Sequence, residues 1–215
     1  MRPLLVIAAP ILLAVLAACG DGEEDRISPT STAPAPTETL SVENVPTPRP
    51  GETAGWLIYR NDEFGFEVEY PNDAQQEEGV STSTFSLQRG SGTVITLPIE
   101  EGTNLDAKYL KVSVGEGQRG ACEPDEAATR GEGEIAAVSY NGIEFKRTTS
   151  LMAASSQLWE ATTYWASQGS SCVIMDFVLY SSSPGVVAGP TRPYFDKERE
   201  TAIFPAIMST FRWLE

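Results

Sequence analysis

The 215-residue sequence contains no histidine. This removes the side chain that most often acts as a general base near neutral pH and most often ligates metals. It also excludes a Ser-His-Asp arrangement within the chain. A Ser-x-x-Lys element is missing as well. Positive charge is scarce: 15 Lys and Arg stand against 30 Asp and Glu, a formal net charge of −15. That balance favours solubility and argues against nucleic acid as a partner, because binding there depends on cations meeting phosphates. Cysteine is reduced to Cys19, Cys122 and Cys172. None sits in a Cys-x-x-Cys pair and none has an adjacent base, so a redox-active dithiol is not indicated.

The N-terminus has the pattern of a targeting segment. Arg2 supplies a positive start, and Leu4 to Leu16 form an apolar run broken only by Pro10. The run falls short of the roughly 20 residues a membrane-spanning helix needs and suits the apolar stretch of a signal peptide. It closes on Leu16-Ala17-Ala18-Cys19, which resembles the bacterial lipobox. The resemblance implies cleavage after Ala18, lipid on the Cys19 sulfur and fatty acylation, such as palmitate, of the new amine. Two or three acyl chains exceed what stable anchoring requires. The expected place is therefore the extracytoplasmic face of a cell membrane or outer membrane, with the membrane itself as one partner.

Residues 19–55 read as a linker. Pro29, Pro34, Pro36, Pro46, Pro48 and Pro50 alternate with Ser and Thr, and acids such as Asp21, Glu23, Glu24 and Glu43 are frequent. Such a composition cannot bury enough apolar surface to offset the entropy of ordering. Fully extended at about 3.1 Å per residue, it would reach on the order of 100 Å from the membrane.

From Trp56 to Glu215 the texture is that of a folded domain. Phe66, Val68 and Tyr70 alternate with Glu67 and Glu69 and stop at Pro71, as in a half-buried strand. Strands are expected over residues 84–89 and 93–99, joined through Gly90-Ser91-Gly92, and over 110–114. Asn141-Gly142 is a strong hairpin signal between residues 135–140 and 143–149. A second hairpin is expected between 158–167 and 172–181, a pair apolar on both faces as in a central strand covered on both sides. A short helix is expected over 104–109. Asp196 can cap a longer one running to about Met208, which Pro205 should kink or split, before a closing strand at Phe211 and Trp213. The pattern predicts an α+β fold.

The phrases Tyr59-Arg60-Asn61-Asp62-Glu63-Phe64-Gly65-Phe66-Glu67-Val68-Glu69-Tyr70-Pro71 and Ile207-Met208-Ser209-Thr210-Phe211-Arg212-Trp213 resemble the opening and closing passages of PsbP-like domains. The resemblance covers residues 56–215. It implies a central, mostly antiparallel sheet flanked by helices on both faces, an α/β/α sandwich, and it carries over no catalytic residues.

Outside the cytoplasm the two remaining cysteines, Cys122 and Cys172, are expected to pair. Gly115-Glu116-Gly117-Gln118-Arg119-Gly120 matches G-x-G-x-x-G, but Cys122, Pro124 and a polar loop follow where a dinucleotide site needs a helix. Glu123, Asp125, Glu126, Glu132 and Glu134 form an acidic loop without calcium-loop spacing. No metal or cofactor is expected. Trp159 and Trp165, on one face of their strand, are the candidate ligand-binding residues. The function expected is a non-catalytic binding or assembly module for another envelope protein. The alternatives are a small-ligand binder using an aromatic groove, and a hydrolase of the envelope using paired carboxylates.

Overall fold

Alternation of apolar and polar residues organises most of the chain into strands. The computed structural model describes residues 42–44, 53–78, 87–117, 122, 133–183 and 192–215, all within the unit Thr39–Glu215. In chain order the strands are β1 (Val42–Asn44), β2 (Leu57–Asn61), β3 (Phe66–Tyr70), β4 (Gln75–Glu78), β5 (Leu87–Leu97), β6 (Leu105–Gly117), β7 (Ala136–Tyr140), β8 (Ile143–Ala154), β9 (Gln157–Gln168), β10 (Ser171–Ser182) and β11 (Arg212–Trp213). Between β10 and β11 lie α1 (Lys197–Thr201) and α2 (Ile203–Met208).

Two sheets result. The larger has the order β1-β7-β8-β9-β10-β6-β5-β4, and the smaller β11-β3-β2. Neighbours are antiparallel except β1, which lies parallel to β7. The two anticipated hairpins form. Asn141 and Gly142 both take positive φ, 51° and 75°, as a tight turn matched to strand twist requires. Gly169, with φ 61°, turns β9 into β10. One face of the large sheet carries Leu110, Val112, Phe145, Tyr164 and Phe177. It packs against Tyr59, Phe66 and Val68 of the small sheet and against Phe204, Ile207, Met208 and Phe211 in a single core.

Several expectations are corrected. The fold is mostly β and not the expected α+β fold with an α/β/α sandwich: among the described residues, α1 and α2 are the only helices, α2 feeding the core through Phe204, Ile207 and Met208 and α1 burying only Glu200. Residues 104–109 are not helical but open β6, which pairs with β10 from Leu105↔Ser181 onward. The even positions Lys108, Leu110, Val112 and Val114 are all buried, and that period of two overrides any local helical preference. The Gly90-Ser91-Gly92 segment does not turn the chain; β5 runs through it with a register shift between Gln88 and Ser91. Asp196 does cap α1, its carboxylate accepting from the Arg199 N–H at 3.1 Å. The helix breaks at Ala202, because Pro205 cannot bond back to the carbonyl of Thr201. Val42–Asn44 falls within the stretch read as linker, yet pairs with Ala137–Ser139, and Glu43 meets Arg147 at 3.5 Å.

Candidate functional site

The C-terminal helices are held against the large sheet by polar anchors. Asn104 donates to the Ser182 carbonyl at 2.9 Å and accepts from the Phe195 N–H at 2.9 Å. On the turn between β7 and β8, Asn141 donates to the carbonyls of Ser209 and Phe211. Between the sheet and these helices a cavity of about 330 Å3 remains. Phe177, Leu179 and Phe204 give it apolar surface, and Thr149, Thr162 and Thr201 give it hydroxyls. Lys197 donates to Glu160 at its rim. Leu151 of β8 also lines it. Leu151 is 62% exposed and its neighbour Met152 60%, with Ala153 and Ala154 exposed beside them. Leu151 thus joins the exposed strand end to the cavity, whereas Met152, opposite Trp159, lies on the other face of the sheet.

A second cavity, of about 230 Å3, is polar. Lys108 and Glu200 line it, paired at 2.6 Å, with Arg199 and Glu100 at 2.9 Å beside them.

The opposite face of the large sheet holds the residues singled out in the sequence. Cys122 and Cys172 are bonded, with Cα atoms 5.5 Å apart, and they pack with Trp165 and Ile174 in a small buried cluster. Trp165 is 2% exposed. Trp159 is half-buried and packs on Tyr180, ring centres 4.9 Å apart. Neither tryptophan lines the main cavity. Replacing both cysteines by serine should cost about 2–4 kcal/mol, since the bond closes a loop of 50 residues in the unfolded chain. Urea unfolding of the variant beside the oxidised parent measures it.

Between these aromatic groups Asp176 is buried and accepts from the Thr163 hydroxyl at 2.7 Å. Burial pushes its carboxyl above the ordinary value, an effect that Thr163 and Lys111 partly oppose. Burial also holds the Lys111 ammonium below its ordinary value. A raised carboxyl in the fold means that charging it disfavours the native state. Asp176 therefore costs stability near neutrality, and that cost is relieved as pH falls through its raised pKa toward the unfolded value of 3.8. The Asp176→Asn variant should be more stable than the parent at pH 7. Its advantage should shrink on acidification, as melting temperatures across a pH series will show.

Among the described residues, the three buried carboxylates do not converge. Asp176 is held by Thr163, Glu200 by Lys108, and Glu67 by Arg212 and Arg60, each in a different part of the fold. Among the described residues, no three Cys, Asp or Glu side chains gather as a metal site would require. Cys19, residues 118–120, and Glu123, Asp125, Glu126 and Glu132 lie outside the described residues; Glu134 is exposed, and Gly115–Gly117 belong to β6.

No family model and no curated protein matches this chain. Solved structures similar to this chain include the following two. The solution structure of cyanobacterial PsbP (CyanoP) from Synechocystis sp. PCC 6803 matches 79% of this chain and 98% of its own, at 12% identity and a TM-score of 0.46. A crystal structure from Bacteroides thetaiotaomicron VPI-5482 matches at 10% identity and a TM-score of 0.42. That match takes in 70% of this chain but only 45% of the Bacteroides protein, so this chain spans less than half of that protein's length.

The site that sequence reasoning missed is the cavity with the β8 edge. The one local signal for it is Ser150-Leu151-Met152-Ala153-Ala154-Ser155-Ser156, an uncharged stretch between the strands expected at 143–149 and 158–167, most of which proves to continue β8.

Proposed function

We propose that this chain is a lipoprotein, anchored through Cys19 at the extracytoplasmic face of a bacterial membrane, whose domain is a non-catalytic binding module for another protein of the envelope. The anchor rests on Leu16-Ala17-Ala18-Cys19 following its apolar run. The binding role rests on one observation: exposed Leu151 continues into a cavity, while exposed Met152 extends the apolar strand end on its other face, beside Trp159. Adjoining apolar surface of this kind marks interaction sites more often than it decorates an isolated protein.

Mass spectrometry of the protein from its native membrane tests the anchor. The first residue should be Cys19 with acyl mass; a product that begins at Met1 or lacks lipid overturns it. A photo-crosslinker in place of Met152 should capture an envelope protein that the same group in place of Glu63 does not. Equal recovery at both positions would remove the binding role.

A further inference from the structure

Strand β8 outruns its neighbour. β7 pairs with it only as far as Ala136 opposite Arg147, and Gly133 adds one more bond, its N–H donating to the Thr149 carbonyl at 2.7 Å. Alternate residues of a strand direct their main-chain groups to the same side. The N–H and C=O of Leu151 and Ala153 therefore point where the Thr149 carbonyl points, away from β9. No strand among the described residues takes them up. Sheet edges are ordinarily guarded by charge, proline, a bulge or a covering element. Ser150-Leu151-Met152-Ala153-Ala154 contains neither charge nor proline and pairs with β9 in unbroken register.

The cavity lies against this edge, with Thr149 and Leu151 in its wall. A chain laid along β8 would direct a side chain adjacent to Leu151 onto that same face. We propose that the β8 edge is a strand-addition site. It takes an extended segment of another exported protein, bonded through its main chain to Leu151 and Ala153, with one apolar side chain set beside Thr149 and Leu151 at the mouth of the cavity. The proposal rests on the binding role above and names its mode.

The surroundings define the occupant. The main-chain groups of Leu151 and Ala153, which no strand among the described residues takes up, match an extended backbone with free N–H groups, as in other strand-addition complexes. The cavity, about 330 Å3, is at the small end of the roughly 300–1,000 Å3 typical of ligand pockets, which suits a single aliphatic or aromatic side chain. The net charge of −15 disfavours an acidic segment and favours neutral or basic flanks.

The test uses the full chain in detergent and a blocked peptide, Lys-Val-Thr-Phe-Thr-Val-Lys, which alternates as required. Binding is followed by isothermal titration and by hydrogen exchange. The amides of Leu151 and Ala153 should gain protection. The peptide has two alternating sets of N–H groups, one on each edge. Methylating one set should weaken binding by at least about tenfold, a loss of about 1.4 kcal/mol, while methylating the other set leaves it unchanged. Leu151→Pro removes an outward N–H and spares the bonds to β9, so it should abolish binding without loss of the folded state. Should the proline variant unfold, the methylated peptides still decide. Equal binding of both methylated forms overturns strand addition, as does protection that appears elsewhere. If no peptide binds while the crosslinker at Met152 still captures a partner, strand addition falls and the binding role stands. If both fail, both fall.

Discussion

The Lys108→Met variant should lose about 3–5 kcal/mol of stability. Lys108 projects from β6 into the interior and meets Glu200 of α1 at 2.6 Å, with side chains only 8% and 5% exposed. Glu200 has a second duty, accepting the N–H of Glu100 at 3.1 Å. Removing the ammonium leaves a carboxylate with no counter-charge in a place water barely reaches, and the cost is mainly that of its desolvation. Adding Glu200→Gln should recover most of the loss. The amide keeps an oxygen for Glu100 and needs no counter-charge. Urea unfolding of the parent, both single variants and the double variant gives the coupling between the two sites. A single Lys108→Met variant as stable as the parent would show that the pair is solvated. Because the pair ties α1 to the sheet, hydrogen exchange in Lys197–Thr201 should rise in the variant before global unfolding does.

Phe211→Ala should cost about 3–5 kcal/mol, the usual range for truncating a fully buried phenylalanine. Phe211 is 0% exposed and sits between the two sheets. Its ring stacks on Phe66 of β3 at 5.5 Å and meets Trp213 of β11 at 5.1 Å, edge-on. On the other side it meets Phe145 of β8 at 5.1 Å. Its loss opens a void where the small sheet is fastened to the large one, and rings fixed on two sheets cannot easily close it. Phe211→Leu should cost less, since it restores part of the volume. Tyr194→Ala, at a 76% exposed side chain, should stay within about 0.5 kcal/mol of the parent. Thermal unfolding of the three variants checks the order.

The two hairpins were legible because the information is local. Asn141-Gly142 and Gly169 supply the positive φ that a tight turn demands, and the flanking alternation sets the register. A third turn, between β8 and β9, escaped notice: Ser155 takes φ 58° with no Asn or Gly to announce it. The expected helix at 104–109 failed for a related reason. A few residues of mixed character fit either period, and the partner strand β10 decides between them. The flanking helices implied by the PsbP-like phrases did not appear, because those phrases describe how a β3-like strand and a helix-to-strand passage pack, not what covers the far face of the sheet.

The site was less legible still. Trp159 and Trp165 could be placed on one face from their spacing, but spacing does not say whether a face meets solvent, a loop or a core. The bonded Cys122 packs against Trp165, and Trp159 lies on Tyr180. The apolar edge at Leu151 depends on where β7 stops, a fact of pairing between residues far apart in the chain.

By itself the sequence determined that no histidine-based triad can form within the chain. It also determined the two hairpins with their register, and the cap and break of the C-terminal helix. All of these follow from the conformational limits or charge of residues within a few positions of each other. Only the tertiary structure decided that Lys108 finds Glu200, that Asp176 is buried beside Thr163, and that β8 outruns β7 next to a cavity. These are consequences of long-range strand pairing. Burial and dielectric belong to the assembled layers, and no local pattern encodes them.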